Sequence, residues 1–260
     1  MKTLAIVALS LAAAPVPAQN YASYNHQPVA RLSFLRSQWP LGTGGNYRDS
    51  SLVAFWPLTA ATDKAYDYSG HSASGTYEAT ASEREGYFTA GKTGQYASSF
   101  NASGSYLSTS TITLAGSFSL SIWLNAATPA PANDRSEEIS HRAGLYLGTD
   151  RSNTQFQFSA GTSAVGNCSG GTVSAGKWQF VTGVYDGKDG RLYVDGALVA
   201  GPCSLPYPEG MISTMRVGCF NGAGCDGAGG AWKGLVNDVR VYSRALSQAE
   251  IEAIFKAENH

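Results

Sequence analysis

The sequence predicts an all-β protein, a sandwich or jelly roll closed by one short C-terminal helix. Short runs of alternating apolar and polar residues recur from Leu52 onward, with turn signals about every 8–12 residues. Glycine is abundant at 30 of 260 residues and aromatics are frequent (14 Tyr, 10 Phe, 5 Trp), while charged residues supply only 14%. Helical spacing shows only at the end of the chain. Taken in order, Ser117 to Leu124 alternates strictly and places Phe118, Leu120, Ile122 and Leu124 on one strand face. Trp178 to Tyr185 is a second strand, ended by a turn containing Gly187 and Gly190. Arg191–Val194, Asp195-Gly196 and Ala197–Val199 read as a hairpin, because both central positions of its turn favour positive φ. Leu235 to Tyr242 alternates again. That pattern predicts Leu235, Asn237, Val239 and Val241 on one face, with Val236, Asp238, Arg240 and Tyr242 on the other. Ser247 and Glu250 then form a capping box. Leu246 and Ile251 are spaced as a hydrophobic staple, and Ile251, Ile254 and Phe255 give the helix a short apolar face.

Composition narrows the function classes. With 18 Lys+Arg against 19 Asp+Glu, the net charge of −1 argues against a nucleic-acid binder and against polybasic attachment to membranes. The 43% apolar content and many aromatics argue against disorder. Residues 1–18 read as a signal peptide: a Lys2 start, an apolar-or-small run from Leu4 to Ala14, and Val16-Pro17-Ala18 as the cleavage signal. That run is shorter than the roughly 20 residues a membrane span needs, so a secreted, extracellular protein beginning at Gln19 is expected. Residues 19–50 form an irregular leader, or an assembly arm in which Leu32, Phe34 and Leu35 meet a neighbouring subunit. Residues 51–260 form the β domain. In an oxidising compartment, Cys168, Cys203, Cys219 and Cys225 are expected to form two disulfides. Three pairings exist, of which Cys168–Cys203 with Cys219–Cys225 is favoured because the latter closes a Gly-rich loop. Asn101-Ala-Ser103 and Asn167-Cys-Ser169 are N-glycosylation sequons.

Six blocks in order carry a family resemblance. They are Leu52–Leu58 with Asp67–Gly70, Gly91–Gln95 with Ser99–Tyr106, Phe118–Trp123, Trp178–Asp186, Arg191–Gly196 and Gly234–Leu246. Together they resemble laminin-G-like jelly-roll modules of the concanavalin A-like lectin/glucanase superfamily. The resemblance implies two curved antiparallel sheets face to face, with a glycan or protein ligand on the concave side or rim. It also implies a structural calcium ion (Ca2+), for which Asp67, Asp238 and, more weakly, Asn101 stand at the matching positions; Asn237 stands where the family often has Asp. The alternative for these acids is local: Asp67 caps its turn, and Asp238 pairs with Arg240 or Arg244.

Enzymatic signals are sparse. The glucanases of this superfamily show a Glu-x-Asp-x-x-Glu run, which this chain lacks. Glu83 and Glu85 lie in a polar stretch, Glu137 and Glu138 are adjacent, and Asp186 and Asp189 belong to a turn. Asp134–Arg142 and Tyr87–Gln95 echo polysaccharide-lyase motifs in reversed order. Trp56, Trp123, Trp178 and Trp232 read as core, leaving Tyr207 and Phe220 as loop aromatics for stacking on sugars, and Arg135 and His141 for an acidic one. The expected function is a secreted, non-catalytic carbohydrate-binding or adhesion module whose partner is extracellular or cell-surface glycan or glycoprotein. The alternative is a subunit of an extracellular fibre, wall or appendage that self-assembles through its arm. A polysaccharide lyase or glycosidase comes third.

Overall fold

The computed structural model describes residues 49–58, 64–78, 88–89, 92, 97–101, 105–127, 137–141, 145–150, 154–160, 166–206, 211–219 and 232–259. The strands are β1 (Leu52–Trp56), β2 (Lys64–Ala65), β3 (Gly75–Glu78), β4 (Phe88–Thr89), β5 (Ala97–Asn101), β6 (Tyr106–Leu114), β7 (Phe118–Ala126) and β8 (Glu137–His141). They continue with β9 (Leu145–Thr149), β10 (Phe156–Ser159), β11 (Asn167–Gly170), β12 (Trp178–Tyr185), β13 (Asp189–Val194), β14 (Ala197–Ser204), β15 (Met211–Val217) and β16 (Lys233–Tyr242). Helix α1 (Gln248–Glu258) ends the fold.

These strands form two antiparallel sheets. The first runs β14-β13-β12-β7-β16-β5-β4, with β1 also paired to β16; the second runs β11-β10-β9-β8-β15-β6-β3-β2. Between the sheets lies the main core, where Phe118, Leu120, Ile122 and Leu124 of β7 meet Leu147, Phe156 and Phe158 of the second sheet. Trp56 is fully buried there and donates from its indole N–H to the Ala73 carbonyl at 2.8 Å. Phe118 and Phe158 meet edge-on at 6.3 Å. The expected all-β jelly-roll sandwich with a short C-terminal helix is therefore the observed architecture.

A second apolar cluster covers the opposite face of the first sheet. Leu52, Phe55, Trp123, Phe180, Val184, Tyr193 and Tyr242 pack there under Leu246, Ile251 and Ile254 of the terminal segment. Burial on both faces explains why β7 and β12 are buried almost throughout although their sequences alternate. The capping box forms as expected: Ser247 accepts from the Glu250 amide and Glu250 accepts from the Ser247 amide. Just upstream, the Ser119 hydroxyl donates to the Arg244 carbonyl and accepts from the Leu246 amide, fastening the chain as it turns into α1.

β16 departs from its predicted alternation. Against β7, Asn237 pairs with Trp123 and Arg240 with Ser121, so three steps on β16 span two on β7. The extra residue is a bulge at Asp238, whose φ is +47°. It shifts the phase, so Val236 joins Val239 and Val241 in the inter-sheet core, while Asn237 shares the outer face with Trp123. The predicted grouping of Leu235 and Asn237 with Val239 and Val241 is thereby corrected. The Asn237 amide explains why this position suits Asn rather than Asp. It accepts from the Lys92 amide at 2.8 Å and donates to the Pro57 carbonyl at 3.0 Å, which a carboxylate cannot do.

Cys168 and Cys203 are joined as expected, with a Cα–Cα distance of 5.7 Å. The bridge ties β11 to β14, the edge strand of one sheet to the edge strand of the other. Cys219 is buried and disulfide-bonded; Cys225, its expected partner, lies outside the described residues.

Candidate functional site

One ladder of residues crosses the second sheet on the side turned away from the core. Directly opposed residues of antiparallel strands share a face. Thr76 pairs with Ser108, Ser108 with Arg216, and Arg216 with Ser140; Ser140 pairs with Tyr146, Tyr146 with Ser159, and Ser159 with Asn167. Their neighbours Leu107, Val217, Ile139, Leu147, Phe158 and Cys168 point into the inter-sheet core. The ladder carries five hydroxyls, one guanidinium and one amide, with no aliphatic residue. It is exposed at Thr76 and Asn167, half-buried at Ser108 and Arg216, and buried at Ser140, Tyr146 and Ser159.

Local structure fixes the side chains along it. The Arg216 guanidinium lies 4.3 Å from the centre of the Tyr106 ring, a cation–π stack that holds both flat against the sheet. Glu78 pairs with Tyr106 in register and is exposed. Farther along, the Tyr146 hydroxyl donates to Gln157 Oε1, and Gln157 Nε2 donates to Ser169 Oγ at 2.9 Å. Beside the ladder β6 bulges, since Thr214 pairs with Thr111 but Arg216 with Ser108. There Thr109 Oγ1 accepts the Met215 amide, and Ser110 and Thr111 both reach solvent. Ser140, Tyr146 and Ser159 being buried, the accessible part of the face offers a planar cation on an aromatic ring with the Ser108 and Thr76 hydroxyls beside it, and the Asn167 amide at the far margin. Such groups bond sugar hydroxyls, and the ring can stack on a pyranose.

The residues singled out from sequence are dispersed. Tyr207, Phe220 and Arg135 lie outside the described residues. His141 ends β8, in register with Met215 and Leu145. Asn101 ends β5 opposite Lys233, in the first sheet. Asp67 is local: its Oδ1 accepts from the amides of Phe55 and Ser69, and its Oδ2 from the Ser69 hydroxyl and the Ala73 amide, all at 2.8–2.9 Å. A carboxylate offers about four acceptor sites, so Asp67 as placed does not fit a cation. Asp238 is buried in the bulge, its amide donating to the Pro57 carbonyl. Of the two arginines expected near it, Arg240 donates from Nη1 to the Asp238 carbonyl at 3.3 Å and is also paired with Glu258, while Arg244 is paired with Asp49 and Glu250. Among the described residues no group of three or more His, Cys, Asp or Glu is placed to hold a metal. Trp56, Trp123 and Trp232 are buried and Trp178 is half-buried, as expected of core residues. Sequence reasoning missed Tyr106, Arg216, Tyr146, Gln157 and Ser169. Tyr106 and Gln157 sit in the polar alternation of β6 and β10, Tyr146, Ser169 and Arg216 lie on β9, β11 and β15, and only strand register brings the five together.

Two antiparallel sheets packed face to face with one short helix on an outer face define a jelly-roll sandwich. A laminin G family model, described as the concanavalin A-like lectin/glucanases superfamily, matches residues 100–252, and the chain belongs to that family. No curated protein matches the sequence. Among solved structures, a Trypanosoma rangeli sialidase in complex with the inhibitor DANA is similar, with TM-score 0.60 and 18% identity. That match covers 87% of this chain but 36% of the sialidase chain. Domain 4 of AbnA, a GH43 extracellular arabinanase from Geobacillus stearothermophilus, in complex with arabinotriose, aligns with TM-score 0.58 and 18% identity. The alignment covers 80% of this chain and 98% of that domain. The receptor-binding domain of botulinum neurotoxin mosaic serotype C/D aligns with TM-score 0.57 and 14% identity, over 80% of this chain and 51% of that one. These similarities concern the fold. No helix of the described residues is long and apolar enough to cross a membrane.

Proposed function

We propose that the chain is a secreted, non-catalytic module that binds extracellular or cell-surface carbohydrate on the outer face of its second sheet. The observation that carries this reading is the half-buried Tyr106–Arg216 stack with Ser108 and the exposed Thr76 beside it on the same face. The similarity to a whole arabinanase domain solved with arabinotriose supports it.

The test is binding of the chain from Gln19 onward to immobilised neutral and acidic oligosaccharides, with calcium and with chelator. We expect retention that Tyr106→Ala and Arg216→Ala each weaken about tenfold while the melting temperature holds, since each removes an aromatic or charged contact worth about 1–2 kcal/mol. Full retention by both variants would move the site to the loop candidates Tyr207, Phe220 and Arg135. Silence of the wild-type chain in both conditions would favour an assembly subunit acting through residues 19–50.

A further inference from the structure

We propose that Asn167 is an N-glycan acceptor whose sugar overhangs the polar face of the second sheet and limits access to it. The proposal rests on the carbohydrate-binding reading of that face. The sequon Asn167-Cys168-Ser169 lies in β11, where burial alternates: Asn167 and Ser169 are exposed, Cys168 and Gly170 are buried. Cys168 is held inward by its disulfide to Cys203, which fixes Asn167 on the outward side. Register then places it on the ladder itself, opposite Ser159 and in line with Tyr146, Ser140 and Arg216. Neighbouring strands are about 4.8 Å apart, so Asn167 stands roughly 10 Å from the Tyr146 strand and roughly 19 Å from the Arg216 strand. β11 is the last strand of its sheet. A branched oligosaccharide anchored at that margin can fold over the ladder, since it shares the hydroxyl chemistry of the ligands that the face would take.

The sequon is also wired into the site. Ser169, whose hydroxyl completes the acceptor signal, accepts from Gln157 Nε2, and Gln157 accepts from the Tyr146 hydroxyl. In the folded strand the Asn167 backbone is paired with Ser159 and the Ser169 hydroxyl is engaged, so transfer precedes closure of β11 onto β10. In that step the Asn167 amide nitrogen attacks the anomeric carbon of a lipid-diphosphate oligosaccharide. An N–C bond forms, the C–O bond to the diphosphate breaks, the amide loses one proton, and the lipid diphosphate leaves.

The experiment secretes the full chain from a eukaryotic host and reads Asn167 occupancy by peptide mass spectrometry. Binding to immobilised neutral and acidic oligosaccharides, arabinotriose among them, is then compared for the glycosylated chain, the enzymatically deglycosylated chain and Asn167→Gln. We expect Asn167 to be occupied and both sugar-free forms to bind about tenfold more tightly than the glycosylated chain. Asn101→Gln, in β5 of the other sheet, should leave binding unchanged. An unoccupied Asn167, or equal binding with and without the sugar, overturns the proposal and leaves the carbohydrate-binding reading standing. Absence of binding by every form, with melting temperatures intact, overturns that reading and this proposal together. The deglycosylated sample keeps the test valid where Asn167→Gln fails to fold.

Discussion

Arg240 is 1% exposed and Glu258 2% exposed, and each neutralises the other. Arg240 Nη2 donates to Glu258 Oε1 at 2.5 Å, the Trp123 indole N–H donates to Glu258 Oε2 at 2.7 Å, and the guanidinium lies 4.4 Å from the centre of the Phe55 ring. An ion pair sealed this way adds little net stability, but an orphaned partner is expensive. Glu258→Ala should therefore cost about 3–5 kcal/mol, whereas Arg240→Met with Glu258→Leu should restore most of it. Urea denaturation of the three proteins checks this, and a single variant losing under about 1 kcal/mol would show the charge to be hydrated. Nearer the surface, Arg244 Nη1 and Nη2 donate to the two Glu250 carboxylate oxygens at 3.0 and 2.8 Å, and Nη2 reaches Asp49 at 2.7 Å. The Arg244 hydrogen bonds hold the Glu250 carboxyl below its usual range. A depressed folded value means that this contribution is present above the unfolded carboxylate pKa of about 4.3 and is lost as pH falls through the lower, folded value. Melting temperature followed from pH 7 to pH 2 should fall more gently below pH about 4 in Glu250→Gln than in the wild type. Parallel curves would remove Glu250 from the acid response.

At the scale of elements, three strands depend on details that propensity does not reveal. Gly183 of β12 faces the core where a Cβ would stand 2.4 Å from the Phe158 ring. That ring also meets Phe118, so it has nowhere to swing. Gly183→Ala should destabilise by about 1–3 kcal/mol through overpacking, although alanine suits a strand no worse than glycine. Denaturant midpoints decide the matter, and an unchanged midpoint would mean that the sheets separate without cost. The β16 bulge is the second such detail, because the extra residue at Asp238 lets Val236 and Val239 share one face. The β6 bulge is the third, and it brings Ser108 rather than Thr109 onto the outer ladder beside Arg216.

For the molecule as a whole, the two outer faces diverge in chemistry. The first sheet buries its outer face under α1, while the second leaves a polar one. The Cys168–Cys203 bridge closes the sandwich along the β11 and β14 margin, spanning a sequence separation of 35. A loop of that size constrains the unfolded chain by about 3–4 kcal/mol. The paired change Cys168→Ser with Cys203→Ser should lower stability by about that amount, measured by guanidinium unfolding. Wild-type stability in the paired variant would show that packing alone holds the margin. The same bridge anchors β11, so loosening it should disturb the Tyr146–Gln157–Ser169 chain as well.

The sequence by itself determined the all-β class, the core face of β7, the hairpin at Asp195-Gly196 and the capped terminal helix. These follow from period-two alternation, from turn residues that tolerate positive φ, and from a side chain placed to accept the first free amide of a helix, all of which are local. Tertiary structure decided the rest. One bulged residue inverted the faces of β16, which no alternation pattern announces in advance. Arg240 and Glu258 sit 18 positions apart and became a buried pair only because α1 folds back over the first sheet. The ladder from Thr76 to Asn167 crosses seven strands, joining the consecutive strands β8 to β11 with β3, β6 and β15, which come from distant parts of the chain. Its members are ordinary serines, tyrosines and one arginine until register sets them side by side, because hydrogen-bonded pairing acts across the sheet and leaves no spacing along the sequence.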